Sequence, residues 1–491
     1  MSSEQPASCC VRSIPLNFDT FQNVIDGKLS PTAKTRRSIN PWTLEENPDS
    51  PLSTLEDVNK AVEAAKKGGK VWAKTPWADR KKAIEAFADA ITAEKESLGH
   101  WIAREAGKTF DRGQLEIDIA VINMRIFCGL TLEEEVREDT ITDRVSTRYT
   151  PLGVSAAIVP WNYPVAIVCT KAAPALLTGN SIIIKPSPYT PYCALKVAEI
   201  AQRFLPPGVF QVLTGDDNLG PWLTEHPGIN HISFTGPTHI GKKVAESCSK
   251  TLKRTTLELS GNDPAVICAD VDPTVAIKIA AFAFENAGQI CVTIKRLYVH
   301  EAVYDAVLAN IVQFVESLKV TNGFVNDVPI QPLANRARFE GIKELLADIE
   351  EKKLKIATGG TKPLPGAGET TGFFVLPTVI DNPPDGSKIV AEEQFGPVLP
   401  VIKWSDEEDV IRRVNNSPCG LGASVWTRDM AQAERISSQF ETGNIWTNTH
   451  MEILPYHPWA GTKDSGPGLQ SGVEGLKTYC NMHTVRVKRG I

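Results

Sequence analysis

The sequence is short of several features that would place it in other classes. None of its 491 residues belongs to a run approaching the roughly 18 apolar residues needed to cross a bilayer, so no membrane partner is expected. A basic excess is missing too. Lys and Arg number 52 against 58 Asp and Glu, giving a formal net charge of −6, and no nucleic-acid partner is expected of such a surface. The first 24 residues lack a basic segment followed by an apolar run, and the C-terminus has no peroxisomal or ER-retention tripeptide; the expected location is cytoplasmic. C-x-x-C is absent, and the eight histidines never pair with the ten cysteines at metal-ligand spacing, so no metal is expected. Ten cysteines in a long chain suit a reducing compartment, and Cys9-Cys10 in a Ser-rich leader reads as an exposed pair.

What is present is an ordinary globular composition, 42% hydrophobic and 22% charged, in a chain too long for one core. Single cores stop growing near roughly 250–300 residues, so two or more domains are expected. Residues 23–28 read as a short hairpin, and from Thr54 to Glu116 the apolar spacing is helical, with N-cap chemistry at Ser53-Thr54-Leu55-Glu56-Asp57. After Thr150, apolar runs at 153–159, 181–184, 209–213 and 231–234 alternate with helical stretches at 172–177, 193–204 and 238–249. Buried strands alternating with helices predict a parallel, doubly wound α/β sheet. A second α/β series follows, with strands predicted at 265–268, 297–300, 373–379, 398–403, 423–426 and 444–446, and the boundary lies near 257–261.

The glycine pattern G-x-G-x-x-G is absent. Gly236-Pro237-Thr238-His239-Ile240-Gly241-Lys242 follows a strand and enters a helix, but Lys243 stands where a P-loop has the Mg²⁺-binding Ser or Thr. A strand, a glycine turn and a helix start suit a pyrophosphate; a plain tight turn explains the spacing equally well. Cys291 ends a run of small residues, Asn286-Ala287-Gly288-Gln289-Ile290-Cys291, through which a substrate can approach a sulfur. A reactive thiolate also needs its pKa lowered by a helix end or a cation, and the bland alternative is a packed thiol, the role given to Cys169, Cys248 and Cys268. Glu258, between Leu257 and Leu259, is placed for general-base work or for an ion pair with Lys253 or Arg254. Asn162, in Trp161-Asn162-Tyr163-Pro164, can donate to an oxyanion or cap the next helix.

Taken together, Pro160-Trp161-Asn162-Tyr163-Pro164, Lys185-Pro186-Ser187, Phe234-Thr235-Gly236, Leu257-Glu258-Leu259-Ser260-Gly261, Gly288-Gln289-Ile290-Cys291 and Glu393-Gln394-Phe395-Gly396-Pro397 resemble the aldehyde dehydrogenase superfamily in order and spacing, from about Asn23 to the C-terminus. The resemblance implies an NAD(P)-dependent, hydrolytic enzyme that oxidises a small-molecule aldehyde to the acid. Cys291 would be the nucleophile, Asn162 with the Cys291 N–H the oxyanion donors, and Glu258 the base that activates water. Lys185 and Glu393 would bind ribose hydroxyls, residues 236–241, including Gly236, Pro237 and Gly241, would face the pyrophosphate, and Phe395 would pack by the nicotinamide. Trp161, Ser187 and Leu259 complete the cofactor set.

The implied architecture is a Rossmann-like cofactor domain (1–132 and 152–257), an α/β catalytic domain (258–447), a β-arm (133–151 and 479–491) that joins subunits as a homodimer or homotetramer, and a late loop (448–478) lining the substrate tunnel. Tyr163, Ala166, Ile167, Thr170, Ile290, Val292 and Tyr456 are implied as tunnel residues, mostly apolar, which suits a medium or bulky uncharged aldehyde. Where the family often carries a glutamate that repels a 2′-phosphate, this chain has Pro188, so NADP stands beside NAD as cofactor, with NAD favoured. Gln470 also stands where a glutamate is common.

Overall fold

In the computed structural model, residues 16–320, 329–362, 364 and 371–489 are described; Cys9 and Cys10 lie outside them. The helical spacing after Thr54 resolves into four helices, Leu55–Trp72, Trp77–Ala93, Lys95–Ala106 and Phe110–Gly129. Thr54 and Asp57 form a reciprocal capping box at the first, each side chain accepting the other's backbone N–H.

The first sheet holds seven strands in the order Arg254–Glu258, His231–Thr235, Val154–Ile158, Ser181–Lys185, Phe210–Val212, Asn23–Ile25 and Lys28–Ser30. The first five are mutually parallel, and the N-terminal hairpin is added antiparallel at one edge. Every residue of the three central strands is buried, which is why they read as continuous apolar runs rather than alternating ones. From Val154–Ile158 the chain moves outward to one side and then returns to place His231–Thr235 on the other. That reversal opens a crevice beyond the carboxyl ends of the two strands.

A second seven-stranded sheet runs Ile356–Thr358, Thr378–Asp381, Val398–Trp404, Arg296–His300, Pro264–Ile267, Gly422–Trp426 and Asn444–Thr447, parallel except at its first pair. The strand expected at 373–379 begins only at Thr378: Pro377 has no N–H to give a ladder, and Phe373 bonds instead to Pro41 and Leu333 across loops. The helix expected from Ala172 begins at Ala166, where the buried Glu116 carboxylate accepts the N–H groups of Val165 and Ala166. A separate antiparallel sheet of Cys480–Lys488, Asp143–Pro151 and Glu135–Asp139 stands largely in solvent. Among the described residues no helix is long and apolar enough to cross a membrane.

Candidate active site

Glu258 is the last residue of an edge strand in the first sheet, and Cys291 lies just before the Arg296–His300 strand of the second, so the two sheets bring them together. The approach to Cys291 is tightly folded. Asn286, Ala287 and Gly288 all have left-handed backbones (φ 51°, 55° and 71°), a conformation uncommon for side chains with a Cβ. A Cβ on Gly288 would lie 2.3 Å from the Gly396 oxygen, and one on Gly261 would lie 2.3 Å from the Cys291 oxygen. Small residues in these motifs therefore let two backbones from different elements touch.

Cys291 Sγ donates to Glu258 Oε1 at 3.0 Å, while Thr235 Oγ1 donates to Glu258 Oε2 at 3.0 Å. Lys253 and Arg254 are engaged elsewhere, on the carbonyls of His226 and Cys480. The thiol pKa runs against the sequence-based expectation: burial, then the Glu258 carboxylate, pushes the Cys291 thiol well above its ordinary range. In this arrangement Cys291 is a protonated thiol bonded to a base, not a free thiolate. Asn162 Nδ2 donates to the Gln289 carbonyl at 3.0 Å, leaving its second N–H uncommitted in the same region, and does not cap the helix that follows. Cys169, Cys248 and Cys268 are buried, with thiols pushed up to about 12, 11 and 12.

Cys291, Glu258 and Asn162 open on one channel of about 310 Å³. Tyr163, Ala166, Ile167, Thr170, Ile290 and Val292 line it, and Tyr456 does not. Tyr456 faces outward, its ring against His457, and Pro455 and Trp459 form that part of the wall. The reason is local, since alternate residues of an irregular segment face opposite ways and no periodicity announces which. The channel also takes Ile119 and Asn123 from the Phe110–Gly129 helix, Glu285, Met451 and Gln470, none of which the motifs identified. Ile119 and Asn123, four apart on one helix face, are the only pair whose spacing offered a signal. Asn123 Nδ2 donates to Thr170 Oγ1 at 2.9 Å, and Glu285 lies 3.2 Å from Arg112.

A larger cleft of about 750 Å³ occupies the crevice at the strand reversal. Trp161, Lys185, Ser187, Gly236 and Pro237 line it, with Pro188 and Tyr189 beside Ser187. Gly241, Leu259, Glu393 and Phe395 stand outside this wall. Gly241 and Leu259 pack the Thr238–Ser249 helix against the Leu259 segment, where a Cβ on Gly241 would meet Leu259 Cδ2 at 2.3 Å. Glu393 accepts the Gly261 N–H at 3.2 Å, and the Phe395 ring meets Trp161 edge-on at 5.5 Å. Lys242 is turned away onto Asp464, which removes the lysine a P-loop would use.

The cleft fits a dinucleotide. Lys185 is buried, yet its ammonium has one hydrogen bond, a 3.5 Å contact to the Pro186 carbonyl, and burial pushes its pKa down to about 8. Ligand hydroxyls would supply the missing partners. The Thr238–Ser249 helix starts at the cleft with its positive dipole end there; Thr238 N–H goes to Ser260 Oγ at 3.4 Å and Ile240 N–H to the Pro237 carbonyl, so His239 N–H is the first-turn donor left for a diphosphate.

Two coupled α/β sheets, a dinucleotide-sized cleft and a cysteine–glutamate pair at their junction define an NAD(P)-dependent oxidoreductase. The aldehyde dehydrogenase family model matches residues 29–485, and the chain belongs to that family. It is 36% identical over 474 residues to the aldehyde dehydrogenase LUC3 of Fusarium sp, covering 96% of this chain and 99% of that one. It is 35% identical over 462 residues to the phenylacetaldehyde dehydrogenase of Pseudomonas fluorescens, with 91% of each covered. The structure of an NADP-dependent enzyme of E. coli superposes with a TM-score of 0.92 at 31% identity, covering 96% of this chain and 98% of the other. The chain is accordingly an aldehyde dehydrogenase, oxidising aldehydes to acids.

Proposed function

We propose that Cys291 oxidises an uncharged, medium or bulky aldehyde through a covalent thioester that Glu258 and water hydrolyse. The carrying observation is the 3.0 Å bond from the Cys291 thiol to Glu258 inside the channel that also holds the Asn162 amide. Glu258 takes the thiol proton as sulfur adds to the aldehyde carbon. The free N–H of Asn162 and the Cys291 backbone N–H hold the oxyanion that forms, each such donor being worth roughly 3–4 kcal/mol. Bound nicotinamide supplies the acceptor for the hydride that leaves that carbon. Glu258 passes that proton to solvent and then draws another from water, whose oxygen adds to the thioester carbon; the C–S bond breaks, the acid leaves and the proton returns from Glu258 to the sulfur.

Of the proposed cofactor contacts, Lys185, Gly236 and Pro237 line the cleft, and Glu393 and Phe395 lie beyond its wall. Lys185 and Glu393 hold the ribose hydroxyls, Gly236, Pro237 and the helix start hold the diphosphate, and Phe395 braces Trp161 beside the nicotinamide. Gly241 and Leu259 keep that helix seated. With Pro188 between Ser187 and Tyr189, no carboxylate of that segment repels a 2′-phosphate, so both cofactors are accepted. The charge of Asp217, which acts on Lys185, favours NAD. The channel is largely apolar and its one unreacting carboxylate, Glu285, disfavours anionic aldehydes. The exposed three-stranded arm is proposed to join subunits into a homodimer or homotetramer, and the free cysteines suit the cytosol.

An aldehyde panel run with NAD and NADP, without coenzyme A, tests the reading. Aromatic and medium-chain aldehydes should give acid and reduced cofactor at higher kcat/KM than short acidic or cationic ones. A requirement for coenzyme A would sink the hydrolytic step, and a preference for acidic aldehydes would sink the substrate class.

A further inference from the structure

We infer that Lys295 is a positioning residue that aims the Cys291 backbone N–H and links the Cys291 loop to Glu393. The inference rests on the reading of Cys291 as nucleophile. Lys295 follows Cys291 by four residues at the edge of an apolar strand, and its side chain is 2% exposed. A buried ammonium demands partners. Its donors go to the Ile290 carbonyl at 2.6 Å, the Cys291 carbonyl at 3.1 Å and Thr293 Oγ1 at 3.0 Å, with Glu393 Oε1 at 3.8 Å.

These bonds are part of a pattern along the loop. Four consecutive carbonyls, those of Gln289, Ile290, Cys291 and Val292, each accept from a side chain: Asn162, Lys295, Lys295 again, and His450 Nε2 at 2.9 Å. His450 is held neutral by burial, and the Val292 carbonyl, which can only accept, puts the proton on Nε2, leaving Nδ1 to accept from the Ser424 hydroxyl. The segment is neither helix nor strand; the Ile290 carbonyl also accepts Thr293 N–H at 3.3 Å and Thr293 Oγ1 at 3.1 Å, and the 2.6 Å bond from Lys295 is the shortest and the only charged one on it.

The peptide between Ile290 and Cys291 is decisive. A trans peptide is planar, with its C=O and N–H pointing in opposite directions. Fixing the Ile290 oxygen on Lys295 therefore fixes the Cys291 N–H on the opposite side, where the proposed oxyanion donor must be. The ammonium is also the cation acting on the Cys291 thiol, opposing Glu258 and Glu393, and it acts on the buried Asp263 carboxyl as well. Through Glu393, which holds both Lys295 and the Gly261 N–H, the loop is tied to a proposed ribose ligand.

The test compares Lys295→Gln and Lys295→Arg in the full-length enzyme with wild type, by steady-state kinetics and by the pH dependence of Cys291 alkylation with iodoacetamide. Lys295→Gln keeps a donor but loses the charge. Its kcat should fall about 100-fold, as for loss of an oxyanion donor, with the cofactor KM nearly unchanged, and its alkylation midpoint should move to higher pH. Lys295→Arg keeps the charge but not the compact ammonium, so its midpoint should stay with wild type while kcat falls. Wild-type kcat in either variant overturns the assignment. An unmoved midpoint in Lys295→Gln does so too, as does a kcat loss matched by an equal loss of cofactor affinity, the mark of a merely structural residue. If Lys295→Gln is insoluble, the kcat of Lys295→Arg decides alone. Cys291→Ala is run in parallel: cofactor reduction surviving in that variant defeats the nucleophile reading itself, whatever Lys295 does.

Discussion

The Cys291 thiol donates to Glu258 at 3.0 Å, so the proposed nucleophile and the proposed water-activating base touch before any substrate enters. The pair shares one proton, and Glu258 must hold it in one half of the proposed cycle and pass it on in the other.

Replacing Cys291 with Ala should abolish formation of reduced cofactor. In Glu258→Gln the expected record is a slow burst approaching one reduced cofactor per site, followed by turnover lowered roughly 10²–10⁴-fold, because the acyl-enzyme accumulates. Stopped-flow absorbance of the reduced cofactor reads both phases. Slow turnover with no burst would place the essential role of Glu258 before the thioester.

Alkylation of Cys291 should accelerate with rising pH beyond the range of an ordinary thiol, since burial and Glu258 both oppose the thiolate. Removing the carboxylate in Glu258→Gln should shift the profile of the cofactor-free enzyme to lower pH. A shift upward would mean that the base activates the thiol more than its charge suppresses it.

Pro188→Glu should raise the KM for NADP at least about tenfold and leave NAD little affected, because a carboxylate beside Ser187 would face the 2′-phosphate. Initial rates with both cofactors measure this. Equal change for the two would place the 2′-position elsewhere in the cleft.

Thr170→Phe should narrow the 310 Å³ channel and lower kcat/KM for aromatic aldehydes by roughly 10–200-fold, with small aldehydes spared. Competition between phenylacetaldehyde and acetaldehyde reads the change. An equal loss for both would show that Thr170 supports the fold through its bonds to Asn123 and Ala166 rather than shaping the channel.

Glu105 lies buried under the Tyr192–Ala201 helix, accepting the N–H groups of Tyr192 and Cys193, and burial raises it from 4.5 to about 7. The folded protein thus holds this proton more tightly than the unfolded chain. Its stabilising contribution is complete below pH 4.5 and is lost as pH rises through 7. Relative to wild type, Glu105→Gln should gain about 1.4 kcal/mol per pH unit across that window. Urea melts of the two proteins from pH 5 to 8 check the sign.

Much of the site was legible in the chain because its constraints are local. Gly288 and Gly261 are where two backbones meet, Glu258 ends a strand and Asn162 follows one, and each constraint restricts residue type at a fixed spacing. The two sheets were legible for a similar reason, since strands buried on both faces must be apolar throughout. Pro377 was a readable stop that the apolar pattern around it masked.

Tertiary structure alone decided the rest. Whether Tyr456 or Trp459 faces the channel depends on how an irregular segment is draped, and no periodicity encodes that. The protonation of Cys291 depends on a carboxylate 33 positions away in sequence and on burial between two sheets, so residue type pointed to a depressed thiol while geometry raised it. No motif in the sequence marks Lys295; only the fold turns two carbonyls of the Cys291 loop onto it. Sequence determines which groups are available and how the local backbone must bend; solvation and long-range contact, which set their charge and aim, exist only once the chain has folded.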